Sequence, residues 1–69
     1  MIYEISILST GTQASITRKC ENLNTAMEYA AMLANRHYVE HFATRFIQDL
    51  EGNMVAVWHP SKNAWRIID

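Results

Sequence analysis

The hydrophobic period of this chain switches part-way along, and that switch constrains its fold more than any other feature. From Ile2 to Leu8 the period is two: Tyr3, Ile5 and Ile7 share one face, and Ile2, Glu4, Ser6 and Leu8 share the other. Residues Gln13 to Cys20 alternate again, with Ala14, Ile16 and Cys20 opposing Gln13, Ser15, Thr17 and Lys19. Strands have this period because successive side chains point to opposite faces. Between the runs stands Ser9-Thr10-Gly11-Thr12, turn chemistry in which Gly11 can take a positive φ. Two such runs around a short glycine-containing turn predict a β-hairpin.

From Leu23 the period is three and four: Leu23, Ala26, Met27, Ala30, Leu33 and Ala34 make the stripe of an amphipathic helix. Two start signals compete. Asn22 can cap with Leu23 as first helical residue, or Thr25 can cap with Glu28 completing a capping box. Asn22 is favoured because it keeps Leu23 on the stripe. The helix should fade between Asn35 and Tyr38, where propensity falls, and its inward alanines allow close approach to a sheet. Phe42 to Leu50 is β-favouring, Glu51-Gly52-Asn53 is a turn, and Met54 to His59 is a strand ended by Pro60. Ser61-Lys62-Asn63 is a further turn and Ala64 to Ile68 a last short strand. The expectation is one α+β domain over residues 1–69, in the order β-β-α-β-β-β: an antiparallel sheet of four or five strands with one helix on one face.

A chain of 69 residues buries only about 60% of its unfolded surface, so stability should be small and self-association is one way to bury more. The helix leaves one sheet face uncovered, yet Phe46 and Ile47 are apolar neighbours pointing opposite ways. Val55 and Val57 oppose Met54, Ala56 and Trp58, and Trp65 and Ile67 oppose Ile68. Two readings stay open: partial shielding by loops and neighbours, or a homodimer or partner surface built on the helix-free face.

Composition narrows the function classes. Six Lys+Arg against seven Asp+Glu give a net charge of -1, unlike a strongly basic nucleic-acid binder or an acidic DNA mimic. The single Cys20 cannot form an internal disulfide and reads as a small buried residue. Apolar stretches at Tyr29–Ala34 and Met54–Trp58 are far below the ~20 residues of a membrane helix. No secretory signal is evident either, so a cytoplasmic protein with no membrane partner is expected.

No catalytic, cofactor-binding or metal-ligating set emerges. His37 and His41 have metal-ligand spacing but lack a third ligand beyond Glu40, and His59 precedes Pro60 at a strand end. Glu4, Glu21, Glu28, Glu40, Asp49, Glu51 and Asp69 are scattered, and two glycines make no phosphate loop. The expectation is a protein that is not an enzyme and takes no cofactor. Arg18, Lys19, Arg45 and Arg66 with Phe46, Trp58 and Trp65 could stack bases, but arginine and tryptophan are equally enriched in protein interfaces. Thr25, Tyr29, Met32 and Arg36 line up on the helix face opposite much of the core stripe. The candidate partner-binding residues are therefore Tyr29, Met32, Arg36, Arg45, Trp58 and Arg66.

The hairpin leads to a helix opening Leu23-x-x-Ala26-x-x-x-Ala30. A strand ending Asp49-Leu50-Glu51-Gly52 follows, then Met54-Val55-Ala56-Val57 and a late Trp65. This order resembles the small β-β-α-β-β-β anti-CRISPR proteins of phages that inhibit type I systems. The resemblance implies a non-enzymatic inhibitor in the host bacterial cytoplasm. Its partner would be the CRISPR surveillance complex, through host Cas subunits. Some such proteins present basic residues on the outer helix; the corresponding stretch here has Met27, Glu28 and Tyr29, with only Arg36 positive. No functional residue is carried over from the family. The alternatives are a small nucleic-acid-binding accessory protein and a self-assembling structural protein.

Overall fold

The computed structural model describes residues 1–68. Its elements are β1 (Ile2–Ser9), β2 (Thr12–Lys19), α1 (Leu23–Arg36), β3 (Thr44–Asp49), β4 (Met54–His59) and β5 (Ala64–Ile67). The strands form one antiparallel sheet in the order β2-β1-β3-β4-β5. This is the α+β domain expected, with five strands. Asp69, counted above among the scattered carboxylates, lies outside the described residues.

The hairpin turns through Thr10 and Gly11, and Gly11 takes φ 78°, which a side chain would resist. Asn22 is the N-cap: its Oδ1 accepts from the Thr25 amide at 3.0 Å. At the other end the Val39 amide donates to Ala34 O at 3.0 Å and the Tyr38 amide to Asn35 O at 3.3 Å. Tyr38 between them takes φ 52°. This is the Schellman arrangement, with tyrosine where glycine is usual.

The helix lies over β1 and β3. Tyr3, Ile5, Ile7, Ile47 and Ala56 meet Ala26, Ala30, Leu33 and Ala34 in one buried cluster that includes Cys20. Three inward alanines keep the helix close to the sheet. On β3 it is Ile47 that faces the helix, paired with Ile5 and Ala56, while Phe46 pairs with Ser6 and Val57 on the open face. A bulge between Ile47 and Gln48 breaks the β3–β4 register.

Several strand boundaries differ from expectation: β1 runs one residue further, to Ser9, β2 spans Thr12–Lys19 and not Gln13–Cys20, and β3 stops at Asp49 and not Leu50. β3 begins at Thr44, not Phe42, because the Ala43 amide turns back to Glu40 O and Thr44 is the last residue paired with β1, opposite Leu8. Phe42 is left exposed. β5 ends at Ile67, and Ile68 continues only through its amide, which donates to Val55 O at 3.0 Å.

Candidate functional site

The six expected contact residues fall in three places. Tyr29, Met32 and Arg36 stay together, but on the flank of α1 that faces β2 and not on its outermost surface. With Ile16 and Arg18 of β2 and Leu33 of α1 they line a recess of ≈ 60 Å³. Tyr29 is half-buried because its ring packs against the core, whereas Met32 is 59% exposed. The sheet passes beneath the helix at β1 and β3, so the recess opens above β2.

The Arg18 guanidinium carbon stands 5.7 Å from the centroid of the Tyr29 ring, within cation–π range. Among the described residues neither Arg18 nor Arg36 is held in an ion pair. Two cations, a polarisable thioether and a phenol thus surround an apolar floor of Ile16 and Leu33. That combination recognises a partner surface with an apolar group next to negative charge. Sequence reasoning found the helical half of this wall. It missed Ile16 as a lining residue and placed Arg18 only with the other basic residues, because their approach to Tyr29 depends on where the helix crosses the sheet.

Arg45 and Trp58 meet at a second place, on the helix side of the sheet over β3 and β4. Arg45 lies 5.0 Å from the Trp58 ring centroid, and its Nη2 donates to Glu40 O at 3.2 Å. Trp58 Nε1 donates to His41 O at 3.0 Å, and its ring meets His41 and Trp65 edge-on at 5.5 and 5.6 Å. His41 Nε2 lies 3.1 Å from Pro60 O. Burial lowers the Arg45 pKa, and its Nε is buried without a hydrogen-bond partner. These contacts pin the loop from residues 37 to 43 across the part of the sheet that the helix leaves bare. Stacked and bonded in this way, Arg45 and Trp58 act as a clasp.

Arg66 is at a third place. It pairs with Val57 on the helix-free face, in the row Ser15, Ser6, Phe46, Val57, Arg66. Trp58 and Trp65 are paired with each other on the opposite face. Arg66 and the two tryptophans therefore do not form one stacking platform, and Phe46 is the aromatic that shares its row. The helix-free face also carries Leu8 and Ile2, both partly exposed. A shallow recess of ≈ 160 Å³ at its β4–β5 end is lined by Val57, Trp58, His59, Arg66 and Ile68.

The other chemical candidates stay apart. His37 and His59 are exposed and Cys20 is buried. Among the described residues no three His, Cys, Asp or Glu side chains converge as metal ligands. Among the described residues no helix is long and apolar enough to cross a membrane. Asp49 organises the β3–β4 turn: its Oδ1 accepts from the Glu51 and Asn53 amides, both at 2.9 Å, and its Oδ2 from Asn53 Nδ2 at 3.1 Å. The Asn53 amide first, and then the other donors, hold its carboxyl below the usual value. No protein-family model, curated protein or solved structure matches the chain.

Proposed function

We propose that this protein acts without catalysis, by binding a protein partner stoichiometrically through the recess between α1 and β2. The observation that carries this reading is the convergence of two exposed arginines, Arg18 and Arg36, with Tyr29 and the exposed Met32 around one opening. Arginine and tyrosine dominate interface hot spots, and methionine adapts its shape to what it meets. The resemblance to small type I anti-CRISPR proteins supplies the partner class: a CRISPR surveillance complex, engaged through its Cas subunits and blocked by occupancy.

The test is titration of the protein into a purified type I surveillance complex, following target-DNA binding. Inhibition is expected to saturate at a fixed molar ratio. Arg36→Glu should weaken it roughly tenfold, the size of a modest hot spot. Inactivation of the complex by far less than one equivalent would contradict the reading, since that requires turnover.

A further inference from the structure

The strand that forms one wall of the recess is also an edge of the sheet. β2 pairs only with β1. Its hydrogen-bond phase follows from one end of the ladder, where the Cys20 amide donates to Met1 O at 2.7 Å and the Met1 amino group to Cys20 O at 2.9 Å. In an antiparallel pair such mutually bonded positions alternate along the strand. Carrying that phase through the observed register, Arg18, Ile16, Ala14 and Thr12 direct their backbone groups to Tyr3, Ile5, Ile7 and Ser9. Gln13, Ser15, Thr17 and Lys19 therefore turn their N–H and C=O groups outward. No proline interrupts this eight-residue edge, and no other strand covers it among the described residues. Edges of this kind add strands unless something blocks them.

We infer that an extended, acidic segment of the protein partner adds to the sheet along β2, with an Asp or Glu meeting Arg18 and Arg36 and an apolar side chain entering over Ile16. The inference rests on the protein-binding reading above and names the segment bound. Side chains of an added strand alternate, so those opposite Ile16 and Arg18 both face the recess and lie two residues apart. The segment thus pairs an acidic residue with an apolar one at that spacing. Charge chooses the occupant. Thr12–Lys19 contains Arg18 and Lys19 and no carboxylate, so a second copy of β2 would bring no negative charge to the two arginines. An acidic strand supplies it while satisfying the outward backbone groups.

The experiment selects a displayed library of random ten-residue peptides on the immobilised full chain, then titrates the enriched peptides, made synthetically, into ¹⁵N-labelled protein. Enrichment of Asp or Glu two residues from an aliphatic or aromatic residue is expected. The amides of Gln13, Ser15, Thr17 and Lys19 should shift and become protected from hydrogen exchange on binding. Arg18→Glu should weaken the peptide at least tenfold, and Thr17→Pro, which removes an outward donor and leaves the β1 ladder intact, should abolish protection along the edge. Should Thr17→Pro fail to fold, Arg18→Glu and the exchange data still decide. Three results would overturn the inference: no enrichment, enriched peptides without the acidic preference, or edge amides that respond to protein concentration alone with a dimer mass. If any of these occurs while the full chain still saturates the surveillance complex at a fixed ratio, the strand-addition inference falls and the inhibitor reading stands. If saturation also fails, both fall.

Discussion

Arg18 and Arg45 each stand over an aromatic ring, at 5.7 and 5.0 Å, and the two pairs are used differently. Arg45 is committed. It donates to Glu40 O and stacks on a tryptophan that is itself bonded to His41 O and packed edge-on by His41 and Trp65. Among the described residues the Arg18 side chain has the Tyr29 ring alone, on an exposed edge strand, with Arg36 across the opening. An arginine–aromatic pair whose two members are each bonded to a loop carbonyl holds that loop. The same pair at an open edge, with its donors unspent, is equipped to hold something else. Residue type alone does not separate the two cases; burial and a donor already bonded to the loop do.

Breaking the committed pair should cost the most. Trp58→Ala removes the centre of the clasp and should destabilise the fold by about 3 kcal/mol, the lower end for such truncations because Trp58 is half-buried. Urea denaturation checks this, and a loss below about 1 kcal/mol would put Trp58 with the binding residues instead. Arg18→Glu should do the reverse. It should leave stability within about 0.5 kcal/mol, as at most exposed positions, and weaken partner binding at least about tenfold. A matched drop in melting temperature would show that Arg18 is structural after all.

Tyr38→Gly sharpens the comparison at the start of the clasped loop. Tyr38 is 94% exposed and sits at φ 52°, where a side chain costs roughly 1–2 kcal/mol. Glycine there should stabilise the protein by about 1 kcal/mol without altering Trp58 fluorescence. Unchanged or lower stability would mean that the tyrosine ring makes a contact that offsets the strain.

The smallest effect separates both arginines from the acid response. Neither pair contains a carboxylate; the carboxylate whose charge is tied to the fold by hydrogen bonds is Asp49 in the β3–β4 turn, and it should contribute an acid limb to the stability curve. Its folded pKa lies below its ordinary value of 3.8. Its contribution is therefore present above about pH 4 and is lost as pH falls through the depressed folded value. Asp49→Asn should flatten that acid limb by lowering the neutral-pH melting temperature slightly, so that variant and wild type converge as pH falls below the depressed folded value. An acid limb that persists in the variant would assign it to another carboxylate.

Much of the fold was legible because local signals agreed. Tyr3, Ile5 and Ile7 alternate cleanly, Asn22 caps where the helical stripe starts, and Gly11 and Gly52 take the positive φ that their turns need. The end of α1 was legible only as falling propensity, because Tyr38 occupies the position where glycine would have announced a Schellman turn. The start of β3 was misplaced because Phe42 is a strong β-former held in a loop by the Ala43–Glu40 bond. The recess was half legible. Helical spacing brings Tyr29, Met32 and Arg36 together, but Arg18 reaches them only through the crossing of helix over sheet. Arg45 and Trp58 looked like contact residues for the reason that makes them good clasp residues: both offer large planar surfaces and polar tips.

The account is tested most directly by titrating the full chain and its Arg18→Glu variant side by side into one purified type I surveillance complex, with calorimetry reading ratio and affinity together. Wild-type protein should saturate at a fixed molar ratio, and the variant, equally folded, should bind at least tenfold more weakly. Equal binding by the two proteins, or no fixed ratio for either, would contradict a binding surface built on Arg18 and its neighbours.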